Sequence, residues 1–225
     1  MMISPETYYD EHLSGKSAKQ IMTAIRGLMN EIGRLKNKME NPDYGKKALV
    51  MPSESTRLWC TRLYLERAKE ALLEVGGEFK PSKTEIDAEI FDDNISEISN
   101  FTLSIGGFFG GYELHTINLT DGKILHKIRN SRVFEMTDEL PQEDELVSKD
   151  EFFEAIRNLH MGEWRRTYDT NRFGILVLDG TQWNVEIEYK NGIKSVSFSG
   201  SNAYPYNFQE LKDLLGMKCE PFDDA

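Results

Sequence analysis

The chain is predicted to be an α+β protein: an N-terminal antiparallel helical hairpin followed by a meander-type antiparallel β domain with two helices. Three observations predict this. A heptad-spaced apolar seam is confined to the first third of the chain, alternating polarity takes over after Thr84, and the dipeptides Asp121-Gly122, Asp179-Gly180 and Asn191-Gly192 punctuate the alternating stretches as hairpin turns. The expected domains are 1–78 and 84–225.

In chain order, Ser4 with Pro5 behind it reads as the cap and first position of a short helix carrying Tyr8, Tyr9 and Leu13. Ile21, Ile25, Leu28, Ile32, Leu35 and Met39 then recur at alternating spacings of four and three, which predicts a helix over 17–40. Ser17 caps its start, and Asn41-Pro42 closes it because proline disfavours the α conformation at the preceding residue. A second helix starts at Ser53 or Ser55, after Pro52. It places Leu58, Thr61, Leu65, Ala68, Leu72 and Val75 on its seam and stops at Gly76-Gly77. At ~1.5 Å per residue the two helices are roughly 36 and 33 Å long, a matched pair. A two-helix hairpin leaves one side of its seam open. The rest of the chain, a second copy forming a homo-oligomer, or a protein partner must cover it.

Beyond the hairpin, Ile86, Ala88 and Ile90 predict one strand and Phe101, Leu103 and Ile105 another. Tyr112 to Leu119 and Ile124 to Arg129 flank the Asp121-Gly122 turn. Ser148 and Glu151 form a capping box that opens a helix through Phe152, Phe153, Ile156 and Leu159. Strands follow at Ile175 to Leu178, Trp183 to Tyr189 and Ile193 to Ser199. A last helix carries Phe208, Leu211, Leu214 and Leu215, with Asn207 as its cap and Gly216 as its stop. Residues 84–161 and 163–216 thus share one grammar, strands and then a helix, which suggests an internal duplication. Across the Asn191-Gly192 turn, Trp183, Val185, Ile187, Tyr189, Val196 and Phe198 share a core face. Asn184, Glu186, Glu188, Ser195, Ser197 and Ser199 share a polar one.

The run Asp179-Gly180-Thr181-Gln182-Trp183, the loop Ser199-Gly200-Ser201-Asn202-Ala203-Tyr204-Pro205 and the closing Phe208-Gln209-Glu210-Leu211 helix resemble the C-terminal segment of an uncharacterised family of small bacterial proteins. The resemblance covers about residues 173–216. It implies a structural role for the Trp183 and Tyr204 region and no particular activity.

Composition sets further bounds. With 225 residues, 39% hydrophobic, the chain can bury a core without disulfide or metal. It has no apolar run of the ~18 residues that a membrane helix needs and no signal-peptide pattern at its start, so a cytoplasmic location and no membrane partner are expected. Cys60 and Cys219 form no CxxC pair, and no cofactor is expected. The net charge is −11, yet residues 16–47 hold eight basic side chains against three acidic ones. Lys16, Lys19, Arg26, Arg34 and Lys38 project away from the seam. They read either as a solvated face or as a basic stripe for a partner or nucleic acid, with nucleic acid disfavoured by the overall negative charge.

Candidate chemistry is sparse. With the Asp121-Gly122 turn setting the register, His115 opposes Ile128 and His126 opposes Ile117. The two imidazoles therefore lie diagonally on one face with Glu113 nearby, a set able to hold a metal ion as an alternative to a pair of core histidines. Asp179, Glu188 and Lys190 match the D…ExK spacing of metal-dependent nucleases, but a strand places the two carboxylates roughly 20 Å apart. The loop 199–205 offers an anion site at a helix start, or an ordinary turn. Phe108 and Phe109, between Gly106-Gly107 and Gly110-Gly111, form either a sticky tip for a partner or a tight strand connection. The expected function is a non-catalytic protein-interaction module that docks through Lys19, Arg26, Arg34, Lys38, Phe108 and Phe109. In one version it is an inhibitor or accessory protein of a nucleic-acid-handling complex, with Asp138-Glu139 and Glu143-Asp144-Glu145 entering a basic groove. The alternatives are a metal-dependent hydrolase built on Glu113, His115 and His126, and nucleic-acid binding through the basic helix.

Overall fold

The computed structural model describes residues 2–46, 51–107, 110–119, 124–132, 135–138, 148–177 and 179–217, with 131, 132 and 135–138 described through backbone pairing alone. The chain divides into two compact units, Met1–Ser82 and Lys83–Ala225.

Unit 1 contains α1 (Pro5–His12), α2 (Ala18–Met39) and α3 (Glu54–Glu74). Each start is fixed by a side chain that meets an otherwise orphaned backbone group: Ser4 Oγ accepts from Thr7 N–H at 3.0 Å, Gln20 Oε1 accepts from Ser17 N–H at 3.0 Å, and Ser53 Oγ accepts from Thr56 N–H at 3.2 Å. On α2 the heptad positions Ile21, Ile25, Leu28 and Leu35 are buried. On α3 Leu58, Thr61, Leu65, Ala68 and Leu72 are buried, while Val75, already past the helix, is exposed. The two helices run antiparallel, since Arg57 near the start of α3 donates to Glu31 in the second half of α2 at 2.7 Å and Glu54 pairs with Lys38 at the end of α2. Helix α1 lies on α3. Tyr64 donates its hydroxyl to Ile3 C=O at 2.8 Å, and its ring stacks on Tyr8 at 4.4 Å between centroids.

Unit 2 begins with a correction. Ile86, Ala88 and Ile90 lie not in a strand but in α4 (Lys83–Asp93). Three alternating apolar residues also satisfy an i, i+4 pattern. The flanking Glu85, Asp87 and Glu89 are no strand formers, and neither isoleucine is buried; Phe91 alone faces the core. Ala88 backbone atoms press on the turn Met161–Glu163, where a Cβ added to Gly162 would come within 2.7 Å of Ala88 O.

A seven-stranded sheet follows, from β1 (Ile98–Gly107), β2 (Gly111–Asn118), β3 (Leu125–Arg132), β4 (Glu135–Asp138), β5 (Thr167–Asp169), β6 (Gln182–Tyr189) and β7 (Val196–Ser201), in spatial order β4-β3-β2-β1-β6-β7-β5. All pairs are antiparallel except β5 with β7. Mixed helix and antiparallel sheet is therefore the architecture. The two halves differ in topology, four sequential strands against a three-stranded set with one parallel pairing. Ile175–Val177, expected to be extended, belong to no strand, and Leu176 is 75% exposed; the chain supplies β5 instead, eight residues earlier. The strand expected from Ile193 starts at Val196.

Helices α5 (Lys149–Asn158) and α6 (Phe208–Leu214) contribute to the same core as one sheet face. The Ser148–Glu151 capping box is present: Ser148 N–H donates to Glu151 Oε2 at 2.8 Å and Glu151 N–H to Ser148 Oγ at 3.4 Å. Phe101, Leu103, Ile117, Val185, Ile187 and Phe198 of the sheet pack with Phe152, Ile156, Phe208 and Leu211, all at most 4% exposed. Asn207 precedes α6 but does not cap it through its side chain. Its oxygen accepts from Trp164 Nε1 at 3.1 Å and its amide donates to Leu159 C=O at 2.6 Å, so it satisfies buried polar groups that a helix cap would leave unmade.

Candidate functional site

The register places the candidate metal residues as the turn signal implies: His115 opposes Ile128 and Ile117 opposes His126. Period 2 along β2 puts Glu113 and His115 on the face that also carries Ile117, and the diagonal relation across β3 brings the two rings together. His115 Nδ1 lies 2.9 Å from His126 Nε2, and His115 Nε2 lies 2.6 Å from Glu113 Oε1. His115 is 1% and His126 5% exposed, whereas the Glu113 side chain reaches the margin at 39%. The three residues thus form a hydrogen-bonded line running from the margin into the core.

Its electrostatics follow from burial. The His126 pKa falls from 6.5 to about 4, first because burial penalises the imidazolium and second because His115 lies beside it. The hydrogen bond from His115 holds the Glu113 carboxyl below the usual carboxylate range against the opposing effect of burial, and Lys212 of α6 pulls in the same direction. Glu113 is therefore ionised at neutral pH and can only accept. Two imidazole nitrogens face each other and a third faces a carboxylate, so these nitrogens are occupied within the line. Among the described residues no group of three His, Cys, Asp or Glu is arranged to hold a metal ion.

The basic stripe divides. Lys19 and Arg26 are exposed on α2. Arg34 instead donates through Nε and Nη2 to the Glu31 carboxylate, at 2.7 Å each, and Lys38 donates to Glu54, which is buried and also accepts from the Tyr44 hydroxyl at 3.1 Å. Both carboxyls are held below their ordinary range, chiefly by these hydrogen bonds from Arg34 and Lys38. Arg34 and Lys38, expected on a basic stripe, are thus each paired with an acidic side chain of their own unit. Phe108 and Phe109 lie outside the described residues, as do the side chains of Asp138-Glu139 and Glu143-Asp144-Glu145.

Asp179 precedes β6 and Glu188 stands near its far end, where it accepts from Asn100 Nδ2 at 3.3 Å, so the D…ExK residues do not converge. The loop 199–205 is bonded to the segment that leads into β6. Asn202, at φ 52°, accepts from Thr181 N–H at 2.9 Å, and Ala203 C=O accepts from Trp183 Nε1 at 2.9 Å. Cys60 is buried.

Two surfaces escape the sequence reading. On α3, Trp59 is 63% and Leu73 66% exposed, and with Leu63, Glu66 and Glu70 they form an outward stripe at helical spacing. On the polar face of the sheet, Ser104, Tyr112, Thr167, Asp169 and Gln182 join Asn184 and Ser199 around a concavity of about 450 Å³. Polar alternation in β6 and β7 signals half of that lining. β5 is too short to be read from the sequence, and its contribution comes only with the parallel pairing. No family model, curated protein or solved structure matches the chain.

Proposed function

We propose that the chain is a non-catalytic protein-binding module whose docking element is the helical hairpin of α2 and α3. One observation carries the reading: Trp59, in the body of a capped and well-packed helix, leaves 63% of its surface in solvent. Burying the exposed part of this tryptophan on association removes roughly 95–160 Å² from water, and tryptophan leads the residues that anchor interfaces. Leu63 and Leu73 extend the apolar strip. Glu66 and Glu70 lie within it, each beside a cation of the same helix, Lys69 at 3.1 Å and Arg67 at 3.7 Å, so the charge of the strip is largely balanced and its apolar side chains carry the docking. The metal-hydrolase reading has less support, because His115 and His126 bond each other and Glu113. Direct nucleic-acid binding loses Arg34 and Lys38 to internal ion pairs.

The test is a photo-crosslinking phenylalanine analogue at position 59, activated in the native host. A discrete crosslinked band, weakened by Leu73→Ser elsewhere on the stripe and unchanged by Lys19→Ala on the other helix, supports the proposal, and its mass separates a second copy from another protein. Absence of any discrete band counts against it.

A further inference from the structure

The face of the sheet opposite α5 and α6 carries two rungs of side chains that the strand register aligns. One runs Leu114, Ser104, Asn184, Ser199, Thr167 across β2, β1, β6, β7 and β5; the next runs Tyr112, Gly106, Gln182, Ser201, Asp169. Gly106 has no side chain between Tyr112 and Gln182, so the second rung dips there. A Cβ at Gly106 would run into Gly111 O and the Tyr112 backbone, so β1 and β2 approach too closely there for any side chain. Tyr112, 38% exposed, stands on one side of the dip, and Asp169 stands at the far end of the rung. The members of the two rungs other than Leu114 and Gly106 line a concavity of about 450 Å³, within the size range of small-molecule sites.

The lining decides the ligand class. It holds hydroxyls (Ser104, Thr167, Ser199, Ser201), two planar amides (Gln182, Asn184), one carboxylate (Asp169) and the ring of Tyr112, is completed by the buried residues Tyr168 and Trp183 and by Gly200, and includes no Lys or Arg. An anion would meet a carboxylate without a countercharge, so phosphates and nucleotides are disfavoured. A metal would find a single carboxylate and neither His nor Cys. A peptide anchored by apolar side chains would find no aliphatic pocket. Neutral hydroxyl groups, which both donate and accept, match hydroxyls and amides, and the apolar face of a sugar ring matches a tyrosine ring. From β2 to β5 the rung spans roughly 19 Å at the ladder spacing, long enough for a short oligosaccharide. We propose that this concavity is a binding site for a neutral oligosaccharide. It lies wholly on unit 2 and does not depend on the α3 docking surface.

The experiment is calorimetric titration of the full chain with maltotriose, cellotriose and chitotriose, each to about 10 mM so that millimolar affinity is detected. Saturable heat with at least one is expected, weakened ten-fold or more by Asn184→Ala and by Asp169→Ala and unaltered by Glu188→Gln, which lies outside the concavity. Backbone amide shifts at Ser199 to Ser201 should titrate with the same constant. If circular dichroism shows that Asn184→Ala misfolds, Gln182→Ala on the same strand and face takes its place. No heat from any of the three sugars overturns the assignment. So does binding that the concavity variants leave unchanged, or saturation of the same amides by inorganic phosphate alone.

Discussion

Acidification should weaken unit 2 through His126, by an amount that its burial sets. Folding holds this imidazole at a pKa of about 4 against 6.5 when free, a gap of about 2.5 units, and each unit corresponds to ~1.4 kcal/mol. As pH falls through 6.5 the unfolded chain takes up a proton that the folded chain refuses, so stability declines with acid and the loss is complete only below about 4. Between pH 7 and pH 4.5 the decline attributable to His126 is ~2 to 2.5 kcal/mol, within a full loss of about 3.4 kcal/mol. Glu113 acts in the same sense, since its carboxyl is held below the ordinary range, but its loss begins only below about 4.5. The window from 6.5 to 4.5 therefore isolates the histidine. The assay is urea unfolding followed by the fluorescence of Trp164 and Trp183 in a Trp59→Phe background, which confines the signal to unit 2. The comparison is with His126→Gln, whose amide replaces the bonding nitrogen with a group that does not titrate. The wild type should lose ~2 kcal/mol more than the variant over the window. Parallel pH profiles would show that the core does not exclude the proton and would refute the reasoning.

Other outcomes follow from the same packing. Lys38→Met leaves the buried Glu54 carboxylate with the Tyr44 hydroxyl and its own backbone N–H but no cation, and should cost about 1 to 2 kcal/mol against less than ~0.5 for exposed Lys19→Met, measured by thermal unfolding of unit 1. Gly200→Ala would drive a Cβ into the Trp183 indole and Ala203 O; it should cost ~1 to 3 kcal/mol and alter near-ultraviolet circular dichroism. Phe101→Ala empties a fully buried site that packs edge-on against Phe152 at 5.7 Å. A loss of ~3 to 5 kcal/mol in denaturant unfolding is expected.

What the sequence discloses depends on how local the cause is. The seam of α2, the capping box at Ser148 and the pairing of His115 with Ile128 are settled by residues close in the chain, and all three are legible. α4 is misread because Ile86, Ala88 and Ile90 satisfy two periods at once, and the deciding contact, Ala88 against Gly162, comes from more than seventy residues away. β5 has three residues and exists because β7 offers it an edge. Helical projection correctly turns Arg34 and Lys38 outward from the seam. It cannot show that Glu54, on the next helix, reaches back to Lys38, so a stripe legible as charge is half neutralised in three dimensions. The concavity is the extreme case: its lining comes from five strands, three of them joined to the others only by long-range pairing.

The buried line also makes a prediction about protons. Because Glu113 is ionised, it accepts, and His115 Nε2 must carry the hydrogen between them. Between the rings one nitrogen donates and one accepts, which allows two arrangements. In the neutral one His115 Nδ1 is a lone pair and His126 Nε2–H points at it, so both rings are Nε2–H tautomers. In the charged one His115 is an imidazolium that donates from both nitrogens, and His126 Nε2 accepts, its hydrogen moving to Nδ1. The second places a cation at 1% exposure with one carboxylate as its compensation, and a buried ion pair recovers its desolvation only with ideal partners. The neutral line is therefore the arrangement with the smaller desolvation cost. Long-range nitrogen–proton correlation spectra of uniformly ¹⁵N-labelled protein should show two Nε2–H rings, and His126→Leu, which strands the His115 Nδ1 lone pair, should cost ~1 to 3 kcal/mol while His126→Gln, with its amide as donor, recovers most of it. An Nδ1–H signal on His115 at neutral pH would instead make the line a stored charge, and would enlarge the effect of Glu113→Gln, which destabilises the charged arrangement strongly and the neutral one by no more than a weakened hydrogen bond.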